Sequence, residues 1–211
     1  EYHIEEATGK KPIGFRGPGF SISRSTLQVL ARRGYQYEAS TFPTFLGPLA
    51  RAYYFMTSKL SQEEMEQRKA LFGTFGEGFR PLKPYQWQLN PGGLIEIPVT
   101  TLPIFKVPIH FSYLLYLSVF SPPLARLYFD MALKLCRLTG TQPSLLLHPL
   151  DFLGGDDIPE LSFFPAMNLP GGKKLALLSK LVSLLSDQFT IVTMQEHAKL
   201  ATERFKLPRV E

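Results

Sequence analysis

Two side chains suited to acid–base or ion-pairing chemistry each end a predicted strand. His148 closes the apolar run 144–148, and Arg16 closes the run 13–16. An imidazole titrates near neutral pH, so His148 is a candidate general acid; the alternative is a histidine satisfied by hydrogen bonds at a strand end. The guanidinium of Arg16 could hold a carboxylate bidentately in a site, or it could form a structural ion pair.

Three further residues have types and positions that suit a site or a core. Asp151 follows His148 by three residues. At this spacing its carboxylate could orient the imidazole of His148, or it could cap a turn. Trp87 lies in a polar, Pro-rich stretch that predicts a loop, where an indole face could stack on a sugar ring. Cys136 is the single cysteine and sits in an apolar helical pattern, which predicts a small core residue rather than a nucleophile.

The elements that must position these residues alternate between strands and helices. The predicted strands are 13–16, 35–40, 94–101, 144–148 and 190–193, and the predicted helices are 1–8, 25–33, 109–138 with a break at 121–123, and 173–187. Strand, helix and strand within 13–40 predict a right-handed parallel βαβ unit, and hence an α/β fold. Because parallel strands end at one rim, we expect Arg16 and His148 to converge there.

Composition and charge limit the function classes. A chain of 211 residues with 45% hydrophobic residues can bury one sizeable core, so one domain is predicted, with residues 48–80 as a helical insertion. The net charge is +5, but no run of five basic residues occurs, which argues against a dedicated nucleic-acid surface. The short basic pairs, of which Lys173-Lys174 is one, are read as solvated charges.

The region 102–138 is dense in apolar and aromatic side chains. Prolines interrupt it too often for one membrane-spanning helix. Two readings stay open. The region is an ordinary outer helix layer, or it is a hydrophobic groove or membrane-facing helix pair for a lipid-carried sugar, with peripheral contact to a membrane.

Three separated stretches resemble the polysaccharide deacetylase family, the nodulation-deacetylase-like carbohydrate esterases. They read TGKKPIGFRGPGF at 8–20, LIEIPVTTLP at 94–103 and LLLHPLD at 145–151, and TIVTMQE at 190–196 closes the match. They fall in the family's order. The resemblance implies that residues 1–211 form the C-terminal part of a deformed parallel (β/α) barrel.

The resemblance also implies a reaction and a set of roles. The reaction would be metal-dependent hydrolysis of an N-acetyl or N-formyl group on a carbohydrate or a lipid-linked sugar. His148 would be the general acid, and Arg16 would orient a catalytic aspartate. Pro18 and Gly19 would bring backbone close to the sugar, and Leu146, in the Leu-x-His motif, would lie beside the substrate.

Two family motifs are absent from the sequence. They are a strand ending in paired aspartates and a His-x-x-x-His pair, which supply the base and the metal ligands. The four histidines are His3, His110, His148 and His197, and no two are spaced i, i+4. Asp156-Asp157 follow two glycines and are read as a turn, while Glu38 stands where the family usually has an aspartate.

The resemblance therefore implies that a longer parent protein binds a divalent metal ion, expected to be zinc, which this chain alone does not fully ligate. The chain alone is expected to be inactive or nearly so. The alternative is a non-catalytic carbohydrate- or lipid-binding remnant of the same fold. The compartment, cytoplasm or cell envelope, stays open.

Overall fold

The chain is mixed α/β, as the sequence predicts. The computed structural model describes residues 1–57, 75–90 and 92–211. Its two compact units are Glu1–Val99 with Val192–Glu211, and Thr100–Ile191. The strands described below all belong to the first unit. The expectation of a single partial domain over 1–211 stays a prediction.

The elements are numbered in chain order. The strands are β1 (Gly14–Phe15), β2 (Tyr37–Glu38), β3 (Tyr85–Gln88), β4 (Gly93–Glu96) and β5 (Arg209–Val210). The helices of the described residues are α1 (Tyr2–Thr8), α2 (Arg24–Arg32), α3 (Gly47–Thr57), α4 (Phe111–Phe120), α5 (Pro122–Thr139), α6 (Pro149–Phe152), α7 (Gly171–Ser186) and α8 (Met194–Arg204).

The sheet of the first unit has the strand order β1-β2-β4-β3-β5. β1 pairs with β2, β2 with β4, and β3 with β5 in parallel, whereas β3 and β4 are antiparallel. β1, α2 and β2 form the predicted parallel βαβ unit. Ser23 begins α2, because its hydroxyl accepts a hydrogen bond from the backbone N–H of Thr26 at 3.1 Å.

The prediction of a loop around Trp87 is wrong. Tyr85 and Trp87 are buried and alternate with Gln86 and Gln88, so the segment has the period of two that a strand requires. Prolines and glycines flank this segment and do not interrupt it. It forms a hairpin with β4, and together with Leu27, Leu30, Leu89 and Leu94 the two aromatic residues make the core of this unit.

The predicted strands 144–148 and 190–193 are also wrong. Within the described residues, the segment 144–148 pairs with no strand. Ser144 is instead hydrogen bonded to Thr100: the N–H of Thr100 donates to the Ser144 carbonyl oxygen at 2.9 Å, and Thr100 Oγ1 accepts from the Ser144 N–H at 2.8 Å. A side-chain hydroxyl thus takes the place of a neighbouring strand. Thr193 is the N-cap of α8, since its Oγ1 accepts from the N–H of Glu196 at 3.2 Å.

The second unit is helical around its own core. The predicted helices 109–138 and 173–187 correspond to α4, α5 and α7, and the break falls at Ser121, which caps α5. Cys136 is 0% exposed, which confirms it as a core residue, and burial raises the pKa of its thiol to about 12. The core residues are Phe111, Leu114, Leu115, Phe129, Leu133, Ala166, Leu178 and Leu181.

Part of the predicted insertion at 48–80 lies within the described residues, namely α3 and a short 3-10 turn at Phe75–Phe79. The ring of Phe45 contacts those of Phe75 and Phe79, with centroids 5.0 and 5.2 Å away. Residues 58–74, where Ser61 and Glu64 have the spacing of a capping box, lie outside the described part. Among the helices that the structure describes, none has both the length and the hydropathy to cross a bilayer.

Candidate functional site

Two glutamates form a buried carboxyl pair at the ends of neighbouring strands. Glu38 is the last residue of β2 and Glu96 the last of β4, and the parallel register places them opposite each other. Both are 0% exposed, and their side chains are hydrogen bonded to one another. Sequence analysis singled out Glu38 only through the resemblance and did not single out Glu96.

Each carboxyl group has further donors from its surroundings. The backbone N–H of Ser40 donates to Glu38 Oε2 at 2.8 Å, and the hydroxyl of Ser40 donates to Glu38 Oε1. The backbone N–H of Thr41 donates to Glu96 Oε1 at 3.0 Å, and Trp87 Nε1 donates to Glu96 Oε2 at 2.8 Å. Hydrogen bonds from neighbouring residues therefore fix both carboxyl groups of the pair in place.

The pair retains a proton because both groups cannot be charged at this depth. Burial raises the pKa of Glu96 well above its ordinary value, and the nearby charge of Glu38 raises it further. The bonds from Trp87 and Thr41 oppose this shift but do not cancel it. The proton of Glu96 is therefore held more tightly than that of an exposed glutamate.

Arg16 follows β1 directly and carries the compensating positive charge. Its Nε donates to the carbonyl oxygen of Ala39 at 2.8 Å. Burial lowers the pKa of Arg16, while the charges of Glu38 and Glu96 oppose that shift. Its Nη2 is buried without a hydrogen-bond partner among the described residues. One donor of this guanidinium is thus unsatisfied by the part of the chain that the structure describes.

The loop after Arg16 is tied to the carboxyl pair through Ser40. The N–H of Gly17 donates to Ser40 Oγ at 2.6 Å. A Cβ at Gly17 would lie 2.0 Å from the carbonyl oxygen of Ser21, so this position requires glycine. Pro18 is exposed, and Gly19 has a left-handed backbone with φ 58° in a 3-10 turn. Gly19 itself is half-buried.

His148 lies in the second unit, where it is held by two side chains. Its Nδ1 is 3.0 Å from Ser112 Oγ and 3.7 Å from Asp151 Oδ2. Asp151 Oδ2 also accepts from the backbone N–H of His148 at 2.7 Å, so the two residues form a capping box at the start of α6. Asp151 therefore caps the turn and also stands beside the imidazole. The histidine side chain is 51% exposed.

The pKa of Asp151 reflects this arrangement. Burial alone would raise it, but hydrogen bonds from the side chain and backbone of His148 and from Ser112 outweigh burial. The net shift of the Asp151 pKa is downward, and the carboxylate is ionised at neutral pH. A fixed negative charge therefore stands beside the imidazole of His148.

Lys174 donates hydrogen bonds to the turn that follows His148. The prediction that Lys174 is a solvated charge is wrong. It is 1% exposed, and its Nζ donates to the carbonyl oxygens of Leu150 at 2.9 Å and Leu153 at 2.7 Å. Burial lowers the pKa of Lys174, and the charges of nearby aspartates, Asp151 first, oppose the shift. Lys173, its neighbour, is exposed. The phase of the helix decides which of the two is buried.

Two other predicted substrate contacts lie in the interior. Trp87 is 2% exposed, and the guanidinium of Arg80 lies over its ring, 4.5 Å from the centroid. Sugar stacking by Trp87 would require the exposure of a ring that is covered in this structure. Leu146 is 8% exposed, so little of it is accessible. Arg16 and His148 lie in different units, and their convergence stays a prediction.

The described residues do not form a metal centre. Within residues 1–57, 75–90 and 92–211, no three His, Cys, Asp or Glu side chains stand close enough to hold an ion. Asp156 and Asp157 lie in a turn, as predicted: Asp156 Oδ1 accepts from Gly171 N and Asp157 Oδ2 from Gly154 N, each at 2.8 Å. These carboxylates therefore brace the loop that leads into α7.

Comparison with known proteins gives one short similarity. No family model matches the chain, and no solved structure matches it. A peptidoglycan deacetylase-like protein of Gibberella zeae, FGM2, is 40% identical over 50 residues, which are 24% of this chain and 14% of that protein. The chain therefore spans a small part of this curated relative. The match is in keeping with the resemblance to polysaccharide deacetylases over that segment.

Proposed function

We propose that this chain is part of a hydrolase that removes an N-acetyl or N-formyl group from a carbohydrate or a lipid-linked sugar. Two lines support the proposal: the motifs that resemble polysaccharide deacetylases, and the short similarity to a protein described as deacetylase-like. The observation that carries it is the exposed imidazole of His148, whose Nδ1 is engaged by Ser112 and lies near the ionised Asp151.

In this proposal His148 is the general acid. The oxygen of a water molecule bonds to the acyl carbon, the carbon–nitrogen bond breaks, and the nitrogen leaves with a proton from His148 Nε2. The proton of the water passes to a carboxylate base outside the described residues. Since Nδ1 is engaged by Ser112, Nε2 is the nitrogen that transfers the proton.

Arg16 is a positioning residue in the same scheme. Its Nη2 has no partner among the described residues, so it has a donor with which to hold the expected catalytic aspartate. The Glu38 and Glu96 pair fixes the guanidinium electrostatically, and Ala39 fixes it by a hydrogen bond. Pro18 and Gly19, in the turn that follows Arg16, are the proposed backbone contacts of the sugar.

We also propose that the sheet is part of a deformed (β/α) barrel. The support is that β1, β2 and β4 run parallel, and that Arg16, Glu38 and Glu96 follow or end them at one edge. Catalytic groups of barrel enzymes come from that edge of the strands.

A divalent metal ion, when bound, would supply the activation of the water. The described residues lack three ligands for it, so its ligands are proposed to come from elsewhere in a longer protein. The same lack favours a second candidate, a non-catalytic carbohydrate- or lipid-binding remnant.

Assay of a protein that contains this chain separates the two candidates. Acetate or formate release from acylated amino sugars is measured with added divalent metal. We expect His148→Gln to lower kcat by about 10²- to 10⁴-fold, and the exposed His3→Gln to leave it unchanged. Equal turnover by His148→Gln would overturn the role of His148. If the protein and its variants bind the sugar but release neither acetate nor formate, the non-catalytic remnant is favoured. Robust turnover by the 211 residues alone would contradict the proposal that their catalytic site is incomplete.

A further inference from the structure

Helix α5 has two apolar faces, whereas an ordinary surface helix has one. One face belongs to the core of the second unit and consists of Ala125, Phe129, Ala132, Leu133 and Cys136, all 0% exposed. The other face, here called the α5 stripe, consists of Leu124, Leu127, Met131 and Leu138, which are 49%, 56%, 57% and 83% exposed. The stripe needs an explanation other than core packing.

The spacing of the stripe makes it a continuous line. At 3.6 residues per turn its four side chains fall within an arc of about 60°, roughly opposite the core face. Phe120, the last residue of α4, adds a 72% exposed aromatic ring just before α5 begins, and its ring contacts that of Tyr116 with centroids 5.6 Å apart. Aligned exposed apolar side chains of this extent mark interaction surfaces.

The charges of α5 lie on one flank of the stripe, between it and the core face. They are Arg126, Lys134, Arg137 and the single acid Asp130. Asp130 is paired with Lys134 at 2.7 Å and accepts from Gln188 Nε2 at 3.1 Å. The flank therefore has a surplus of two positive charges next to the apolar line.

We propose that the α5 stripe, with Phe120, lies on an anionic lipid surface, with the helix axis in the plane of the membrane. An apolar line next to a cationic flank is the pattern of a helix that binds at a lipid interface. The leucine and methionine side chains enter the boundary of the acyl chains, and Arg126 and Arg137 contact the anionic headgroups. Leu135 and Tyr128, on the other flank, carry no charge.

The same charges disfavour a second copy of the chain as the occupant. In an antiparallel pair of stripes the two cationic flanks would face each other and repel. In a parallel pair each cationic flank would face the uncharged side with Tyr128 and Leu135. Neither arrangement supplies negative charge, whereas an anionic membrane does.

Vesicle co-sedimentation at low salt tests the proposal. The chain is mixed with phosphatidylcholine vesicles with and without phosphatidylglycerol, and we expect binding to the anionic vesicles. Arg126→Gln with Arg137→Gln should weaken it about 30-fold, at roughly fivefold per cation. Leu127→Gln with Met131→Gln should weaken it by about tenfold or more, because two apolar side chains leave the acyl boundary.

Matched controls change the same chemistry elsewhere. Leu175→Gln with Val182→Gln removes two exposed apolar side chains from α7, and Lys10→Gln with Lys206→Gln removes two exposed cations. Both controls should bind like the unaltered chain. Circular dichroism checks that every variant is folded.

Three results would overturn the proposal. They are no binding of the unaltered chain to anionic vesicles, equal losses in the controls, and a dimer in light scattering that only the stripe variant abolishes. The vesicle readout uses no turnover, so it stands or fails independently of the proposed deacylation.

Discussion

The carboxyl groups of Glu38 and Glu96 are hydrogen bonded to each other across two parallel strands, and neither is exposed. Two buried carboxylates at hydrogen-bond distance repel each other strongly unless one is protonated. The folded chain thus keeps a proton on the pair at pH values above 4.5, where the separated groups of the unfolded chain are ionised. This relationship makes the stability of the protein depend on pH.

We expect the free energy of unfolding to fall as pH rises above 4.5, which is the ordinary pKa of a glutamate such as Glu96. Its folded pKa is raised, so the folded chain binds more protons in this window. The stabilisation that this bound proton gives the folded chain is fully present below pH 4.5. It is lost as pH rises towards the folded pKa of Glu96, at up to about 1.4 kcal/mol per pH unit. Glu96→Gln has no proton to lose, and its profile should be flatter above pH 4.5.

Urea unfolding at a series of pH values measures these slopes. Glu203→Gln, on the exposed face of α8, is the matched control and should follow the unaltered chain. Parallel profiles for Glu96→Gln and the unaltered chain would show that the pair does not retain its proton.

Arg16→Met should both destabilise the chain and steepen this dependence on pH. The change removes the hydrogen bond to Ala39 and the positive charge that compensates the pair, so Glu96 holds its proton more tightly. We expect a loss of about 1–3 kcal/mol at pH 7. Arg24→Met is the control, because Arg24 also donates to a backbone carbonyl, that of Gln88 at 3.1 Å, but is exposed. An equal loss of unfolding free energy in both variants would show that neither the burial of Arg16 nor its charge near the carboxyl pair adds to its effect on stability.

Local signals in the sequence were sufficient for most of the helices. A serine cap predicts the start of α2 to within two residues, prolines mark the break between α4 and α5, and apolar periodicity predicts α7. These signals act within one or two turns of a helix. They therefore do not depend on the rest of the fold.

The predictions from sequence are wrong where tertiary contacts determine the local structure. Residues 144–148 are apolar enough for a strand, but none of the described strands lies beside them to pair with. The β-branched run before Thr193 suggested a strand, although Thr193 and Glu196 have the spacing of a helix start. Glu38 and Glu96 become a pair only through the register of β2 and β4, which neither segment specifies alone.

Asp151→Asn should cost about 0.5–2 kcal/mol at pH 7, the range for loss of a helix cap. The folded pKa of Asp151 is lowered, so its contribution is present above 3.8 and is lost as pH falls through the folded pKa. The difference between variant and unaltered chain should therefore shrink in acid. Asp187→Asn, at an exposed position after α7, is the control for denaturant unfolding. A difference that is constant down to pH 2 would exclude a charged cap.

Lys174→Met is the sharpest test of the turn that holds His148, because its neighbour Lys173 provides the matched control. Loss of the ammonium leaves the carbonyls of Leu150 and Leu153 without this donor, and we expect a loss of about 2–4 kcal/mol in urea unfolding. Lys173→Met, on the exposed side of the same helix turn, should change stability by less than about 0.5 kcal/mol.

The two carbonyls lie in α6 and at its C-cap, so the loss should be local as well as global. Amide hydrogen exchange should become faster in α6 in Lys174→Met and stay unchanged in Lys173→Met. Similar exchange and similar stability in the two variants would mean that Lys174 does not fix the turn. His148 and Asp151 would then have to be held by their own capping box and by Ser112 alone.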